Sequence, residues 1–152
     1  MTWEVLQWEE ISRDKIHDLF TLRSEVFVVE QHCVYQDIDG KDPKATHVLG
    51  YLNNELIAYS RFFKPGIYFD QASFGRTVVK KTHRGKGYGH ILVAKTLQAM
   101  REFSEIKISA QEHLRLFYQS HGFVSVGQPY LEDGIPHIAM IKALSKTLGP
   151  QS

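Results

Sequence analysis

The apolar positions of this chain change period several times, and each change marks an element. Near the N-terminus, Trp3-Glu4-Val5-Leu6-Gln7-Trp8 alternates loosely and reads as an edge strand. Ser12 suits the cap of a following helix, in which Ile16, Leu19, Phe20, Val26 and Phe27 recur at helical spacing. That helix is expected to break near Arg23 and to end around Glu30 and Gln31. Residues 32–46 carry Asp37, Asp39-Gly40 and Asp42-Pro43 and read as a polar, turn-rich loop. Two strand-like runs follow, Thr46 to Leu52 and Glu55 to Phe63. They are joined by Asn53-Asn54, a pair that tolerates positive φ and predicts a tight hairpin.

Pro65-Gly66 breaks the chain before a strand from Ser73 to Lys80. A second helix is predicted from Gly87 to Phe103, with Leu92, Val93, Leu97, Ala99, Met100 and Phe103 on one broad buried face. Ile106 to Ala110 is a short apolar strand, and Leu114, Phe117 and Tyr118 share one face of a short helix. Strands from Phe123 to Val126 and Ile138 to Leu144 complete the chain. The order β-α-β-β-β-α-β-α-β-β predicts an α/β sandwich around one mixed sheet.

Composition narrows the classes. With 152 residues and no linker-like, low-complexity or repeated segment, residues 1–152 read as a single domain. Formal net charge is +1, which argues against a nucleic-acid or membrane surface built on bulk charge. The one cysteine, Cys33, excludes an internal disulfide and agrees with a reducing compartment. The start lacks a signal pattern and no stretch approaches membrane-spanning length, so a cytoplasmic location is expected. Eight histidines are present without a zinc spacing, so no metal is expected. No Gly-x-Ser-x-Gly elbow marks a serine hydrolase.

Against this near-neutral background one segment stands out: Val78-Val79-Lys80-Lys81-Thr82-His83-Arg84-Gly85-Lys86-Gly87-Tyr88-Gly89. A strand ends, a basic glycine-rich loop follows and a helix begins. Glycine lets the backbone come close to a ligand, and the unpaired N–H groups of a helix start attract a pyrophosphate. A solvated flexible loop would use the same residues. The segment is not a Walker A loop, because no Lys-Ser/Thr pair follows its last glycine, and its glycine order is not that of a dinucleotide fold.

Arg84-x-x-Gly87-x-Gly89 resembles the acetyl-CoA signature of the GNAT superfamily of N-acetyltransferases. A second block, Ile108-Ser109-Ala110-Gln111 and then Leu116-Phe117-Tyr118-Gln119-Ser120-His121-Gly122-Phe123, is similar to that family's later strand-and-helix motif. The pattern Leu22-Arg23-Ser24-Glu25-Val26-Phe27-Val28-Val29-Glu30-Gln31, together with Cys33, Asp37-x-Asp39-Gly40-x-Asp42 and Glu132-Asp133-Gly134-Ile135-Pro136-His137, resembles the ElaA-like branch. The likeness spans about residues 4–144. It implies an α/β/α sandwich whose central mixed sheet is mostly antiparallel, and transfer of an acetyl group from acetyl-CoA directly to an amine.

The same resemblance implies roles. Backbone groups of Thr77, Val78 and Val79 would pair with the pantetheine arm as an added strand does. Arg84, Gly85, Lys86, Gly87, Tyr88 and Gly89 would hold the pyrophosphate, with His90 adjacent. Gln111 stands where the family often has Asn and would reach the cofactor arm. Tyr118 would act as general acid on the leaving thiolate, although a core aromatic would occupy the same helical face. No general base is identified: family members with a glutamate early in the fifth strand are matched here by Ile106. Glu30, His47, Glu132, Asp133 and His137 remain open for that role. Arg23, Arg61 and Arg76 could bind a substrate carboxylate or phosphate, or serve only to pack the sheet. Phe27 is set with them on the acceptor side. The acceptor would be a small-molecule or peptide amine, and the protein a monomer or homodimer. A catalytically silent acyl-CoA-binding module acting through a partner is the rival reading, and a domain for another phosphate ligand is a third.

Overall fold

The computed structural model describes residues 1–144. β1 (Thr2–Gln7), β2 (Thr46–Leu52), β3 (Glu55–Phe63) and β4 (Ser73–Val79) form an antiparallel sheet in that order. β5 (Glu105–Gln111), β7 (Ile135–Ala143) and β6 (Val124–Glu132) form a second antiparallel sheet, with β7 in the middle. The sheets meet at one parallel bridge, Ala72 with Ile106, where the Lys107 N–H donates to the Ala72 carbonyl at 2.9 Å. Beyond it no ladder joins β4 to β5. The single mixed sheet read from the sequence is therefore two sheets hinged at a point.

Helices cover both faces. α1 (Arg13–Arg23) starts at Ser12, whose hydroxyl accepts from the Lys15 N–H at 3.3 Å. It gives way at Arg23 to a wider π-type coil over Ser24–Glu30, which is where the sequence predicted a break. Leu19, Leu22, Val26 and Phe27 pack on Leu49, Tyr59 and Val78 on this side. α2 (Tyr88–Ala99) places Leu92 and Val93 against Val48, Ala58 and Phe62 on the other. The alternation of Val48 with Leu49, and of Tyr59 with Ser60, sends one residue to each layer, as strand geometry requires. α3 (Arg115–Gln119) lies between β5 and β6 in the chain. Asn53 and Asn54 both have positive φ, 51° and 64°, and make the predicted hairpin turn.

The terminal hairpin is longer than its apolar pattern predicted. Gly127, at φ 76°, and Pro129 interrupt the pattern, and the register slips between Val126 and Tyr130 before pairing resumes to Glu132. α2 is shorter than predicted, ending at Ala99. No described helix is long and apolar enough to cross a membrane.

A buried ion network ties the loop after α1 to the first sheet. Arg23 is fully buried and donates to Asp37 at 2.9 Å and to Asp42 at 2.7 Å. Arg61, on β3, donates to Asp39 at 2.6 Å and to Asp42 at 2.9 Å. Arg76 donates to Asp37 Oδ1 at 2.7 Å. Arg76 itself sits at φ 50° in a bulge of β4: Tyr59 opposes Val78, while Arg61 opposes Gly75. A left-handed non-glycine residue costs on the order of 1–3 kcal/mol. Its ion pairs with the docked loop hold it there. The bulge bends β4 where it must part from β5.

Deleting one partner of such a network strands the others in a low-dielectric interior. Arg23→Leu is expected to lower unfolding free energy by about 3–5 kcal/mol in urea denaturation, and a loss under about 1 kcal/mol would contradict a structural role. Burial alone would raise the Asp39 carboxyl, but Arg61, the Lys41 N–H and Arg76 together hold it well below the carboxylate range. A depressed folded pKa stabilises the fold above the unfolded value and loses that contribution as pH falls through the folded one. Stability in pH-dependent denaturation should therefore hold at neutral pH and fall below about pH 4, and less steeply in Asp39→Asn.

Candidate active site

Where β4 and β5 part, the cleft divides into a groove and a cavity. The groove, about 440 Å³, is lined by Thr77, Val78 and Val79 on β4, by the loop before α2, and by Leu114, Phe117 and Tyr118. Gly85 and Gly87 take φ of 77° and 85°, and a Cβ on either would meet open space. The backbone there is bare because the conformation demands glycine, and nothing of the protein fills the room above it. The N–H groups of the first turn of α2 face this room without a capping side chain. The Thr77 hydroxyl is buried with no hydrogen-bond partner. Left-handed glycines, a helix start and an orphaned hydroxyl along an open strand edge fit an extended ligand with a pyrophosphate.

Arg84 lies across this groove. Its Nε donates to the Val79 carbonyl at 2.9 Å, and its Nη2 donates to Glu30 at 2.9 Å, with Nη1 on the second carboxylate oxygen. The hydrogen bond from Arg84 holds the Glu30 carboxyl below its ordinary pKa. Glu30 is thus the counter-ion of the loop arginine and not a free base. His90, on the groove wall, faces His121 with 2.9 Å between Nδ1 and Nε2 and is packed on Phe117.

The cavity, about 120 Å³, lies on the other side of the parting strands. Phe27, Arg61, Arg76, Glu132, Asp133 and His137, all read from the sequence as acceptor-side residues, line it. Three others do not. Arg23 is buried beneath the loop, with its donors taken by Asp37 and Asp42. Glu30 belongs to Arg84. His47 is fully buried: its Nδ1 accepts from the Tyr59 hydroxyl at 2.6 Å and its Nε2 donates to the Asp42 carbonyl at 2.9 Å. Burial lowers its pKa and keeps it neutral, so it is a core histidine. Arg61 and Arg76 reach the cavity wall already paired with aspartates, which agrees with the packing alternative left open by the sequence.

Gln111 also departs from expectation. It lines the cavity and not the groove, and its amide donates to Gln31 at 3.5 Å. Lys86 is exposed and lies outside the groove lining. The sequence missed His83, Leu114 and Phe117, which do line the groove. Periodicity puts Leu114 and Phe117 on one helix face with Tyr118. That face is buried only in part, because it forms the groove wall.

Three residues border groove and cavity alike: Thr77, Leu114 and Tyr118. Tyr118 is wedged among Phe74, Phe117 and Phe123, with ring centroids 5.0 to 6.2 Å away. Burial raises its phenol above the ordinary value. The phenol therefore stays protonated at neutral pH, as a donor must.

A family model described as an acetyltransferase (GNAT) domain matches residues 8–144. Protein ElaA of Escherichia coli is 42% identical over 145 residues, covering 92% of this chain and 95% of its own. A UPF0039 protein of Synechocystis is 42% identical over 93% of this chain and 94% of its own. The crystal structure of Escherichia coli ElaA superposes with a TM-score of 0.87 at 41% identity, covering 93% of this chain and 98% of that one. An acyl-CoA N-acyltransferase from Pseudomonas aeruginosa gives 0.88 at 38% identity, covering 93% and 99%. With the forked sheet, the glycine loop and the tyrosine between groove and cavity, these matches settle the kinship: the chain belongs to the GNAT acetyltransferase family, in its ElaA-like branch.

Proposed function

We propose that the protein transfers an acetyl group from acetyl-CoA directly to an amine, with Tyr118 as the acid that meets the departing sulfur. The observation that carries this reading is the shared wall: a groove suited to an extended pyrophosphate ligand and a separate small cavity open on the same phenol. Bound in the groove, acetyl-CoA would supply a thioester whose carbonyl carbon is the electrophile. The β4 backbone at Thr77, Val78 and Val79 would hold the pantetheine arm. The N–H groups from Gly85 to Gly89, with Arg84, would hold the pyrophosphate.

The protein's own groups then handle protons and position. The cavity holds the amine against the end of the groove, so the reaction gains from proximity. Tyr118 donates its proton as the carbon–sulfur bond breaks and recovers one from the amine nitrogen, which loses it as the carbon–nitrogen bond forms. The thiol leaves neutral and no covalent enzyme adduct is required. The Pseudomonas aeruginosa neighbour, itself an acyl-CoA N-acyltransferase, supports the same reaction class.

Acetyl-CoA at about 100 times its dissociation constant should stabilise the fold by roughly 2.7 kcal/mol, read as a thermal shift. Absence of a shift would remove the cofactor assignment. Gly87→Val forces a branched side chain into a left-handed backbone and is expected to abolish the shift. Unchanged affinity would count against the loop. Tyr118→Phe should keep the shift and lower thiol release by about 10²-fold; wild-type turnover would take Tyr118 out of the mechanism. Thermal shift without thiol release from any amine would favour a silent acyl-CoA binder.

A further inference from the structure

The hydrogen bonds on the floor of the cavity fix the proton positions of its polar groups. His137 Nδ1 lies 2.7 Å from the Ile135 carbonyl oxygen, an atom that can only accept. The proton of the neutral ring is therefore on Nδ1, and Nε2 carries a lone pair. The Tyr130 ring stacks on the imidazole at 6.3 Å, and its hydroxyl reaches Ser109 Oγ at 2.5 Å. Ser109 Oγ donates to Glu132 Oε1 at 3.0 Å. With the serine proton committed to the carboxylate, the tyrosine proton points to the serine. The relay turns Glu132 so that Oε2 faces His137 Nε2 at 3.8 Å. With the ring neutral, two acceptors thus confront each other across a gap too long for a direct hydrogen bond.

A single group satisfies both: one with at least two N–H donors and a positive charge. The charge balance of the cavity points the same way. The charges of the arginines on its wall are matched by Asp37, Asp39 and Asp42, and Arg61 Nε is buried in that wall without a hydrogen-bond partner. Glu132 has only the distant His137 as an ionic partner, and Asp133 at the rim has none among the described residues. The unmatched charge on the acceptor side is negative. A carboxylate-bearing acceptor would meet repulsion from Glu132 and Asp133 there, with the arginine charges already matched by aspartates.

We infer that the acceptor is a small cationic primary amine without a carboxylate, docked as its ammonium between Glu132 and His137, and that His137 Nε2 removes the proton that makes it a nucleophile. This rests on the acetyl-transfer reading above and names its substrate class and its base. The step balances: one ammonium N–H bond breaks, one N–H bond forms on Nε2, and the neutral amine is released toward the thioester. The imidazolium left behind faces the Glu132 carboxylate, which stabilises it until it loses the proton to water. The amine's second proton follows the Tyr118 route already described.

The test compares propylamine with β-alanine, which carries a carboxylate on a chain of the same length, and with propanol, which is uncharged. Binding is read by NMR titration of the protein, and transfer by thiol release with acetyl-CoA. Propylamine is expected to bind saturably, and the other two at least about tenfold more weakly. Glu132→Gln, a half-exposed position that leaves the core intact, should raise KM for propylamine about tenfold or more with the acetyl-CoA thermal shift unchanged. His137→Gln should lower kcat by about 10²-fold at neutral pH, with the same shift retained. Equal use of β-alanine and propylamine, or an unaltered KM in Glu132→Gln, would overturn the inference while leaving acetyl transfer intact. Saturable propylamine binding that Glu132→Gln abolishes, without thiol release from any amine, would support the ammonium site and overturn the transfer reading instead.

Discussion

Everything functional in this molecule follows from two strands that touch once and then part. β4 and β5 share the single parallel bridge at Ala72 and Ile106. Past it, each has a free edge, and in a protein interior free edges are costly unless something pairs with them. Natural sheets avoid such a gap. Here it is kept open by a bulge in β4, and the bulge is held by an arginine whose backbone would not choose that conformation unaided. The arginine is held in turn by aspartates on a loop that has little regular structure of its own. The parting of the strands is therefore tied to the ion network that borders the cavity.

The buried arginines and aspartates explain why the site divides as it does. Guanidinium groups beside a cavity would ordinarily attract anions. Matched by carboxylates, they become scaffold, and the cavity's unpaired charge passes to Glu132 and Asp133 on the terminal hairpin. On the groove side the opposite holds. The glycine loop and the start of α2 offer unpaired N–H groups, and the ion pair there, Arg84 with Glu30, is solvent-exposed and of modest strength. On the reading proposed above, one half of the cleft takes phosphate and the other a cation. Tyr118 separates them, buried and protonated.

Much of this was legible in the chain. Periodicity located every strand and the three α-helices, and the glycine loop was found because its conformation leaves a mark in composition: only glycine takes the φ that Gly85 and Gly87 adopt without cost. The break after Arg23 and the Asn53-Asn54 turn were visible for the same local reasons. The partnerships of Arg23, Arg61 and Arg76 were not. Asp37 is 14 residues from Arg23 and 39 from Arg76, and no local rule pairs charges at such separations. Isolated from their aspartates, the arginines read equally as ligand-binding or sheet-packing groups. The terminal hairpin was cut short for another reason, since glycine and proline inside β6 broke an alternation that the register resumes beyond them. His137 was read as one of several candidate bases. Its tautomer becomes definite only when the turn folds the Ile135 carbonyl onto Nδ1.

The central claim is that groove and cavity meet at the phenol of Tyr118, with the parted edge of β4 holding the donor. A crystal structure with acetyl-CoA bound tests it most directly. The account predicts the pantetheine arm running along Thr77 to Val79, the pyrophosphate against the N–H groups of Gly85 to Gly89, and the sulfur within hydrogen-bond reach of the Tyr118 hydroxyl. Acetyl-CoA seated elsewhere, or a sulfur directed away from Tyr118, would contradict it.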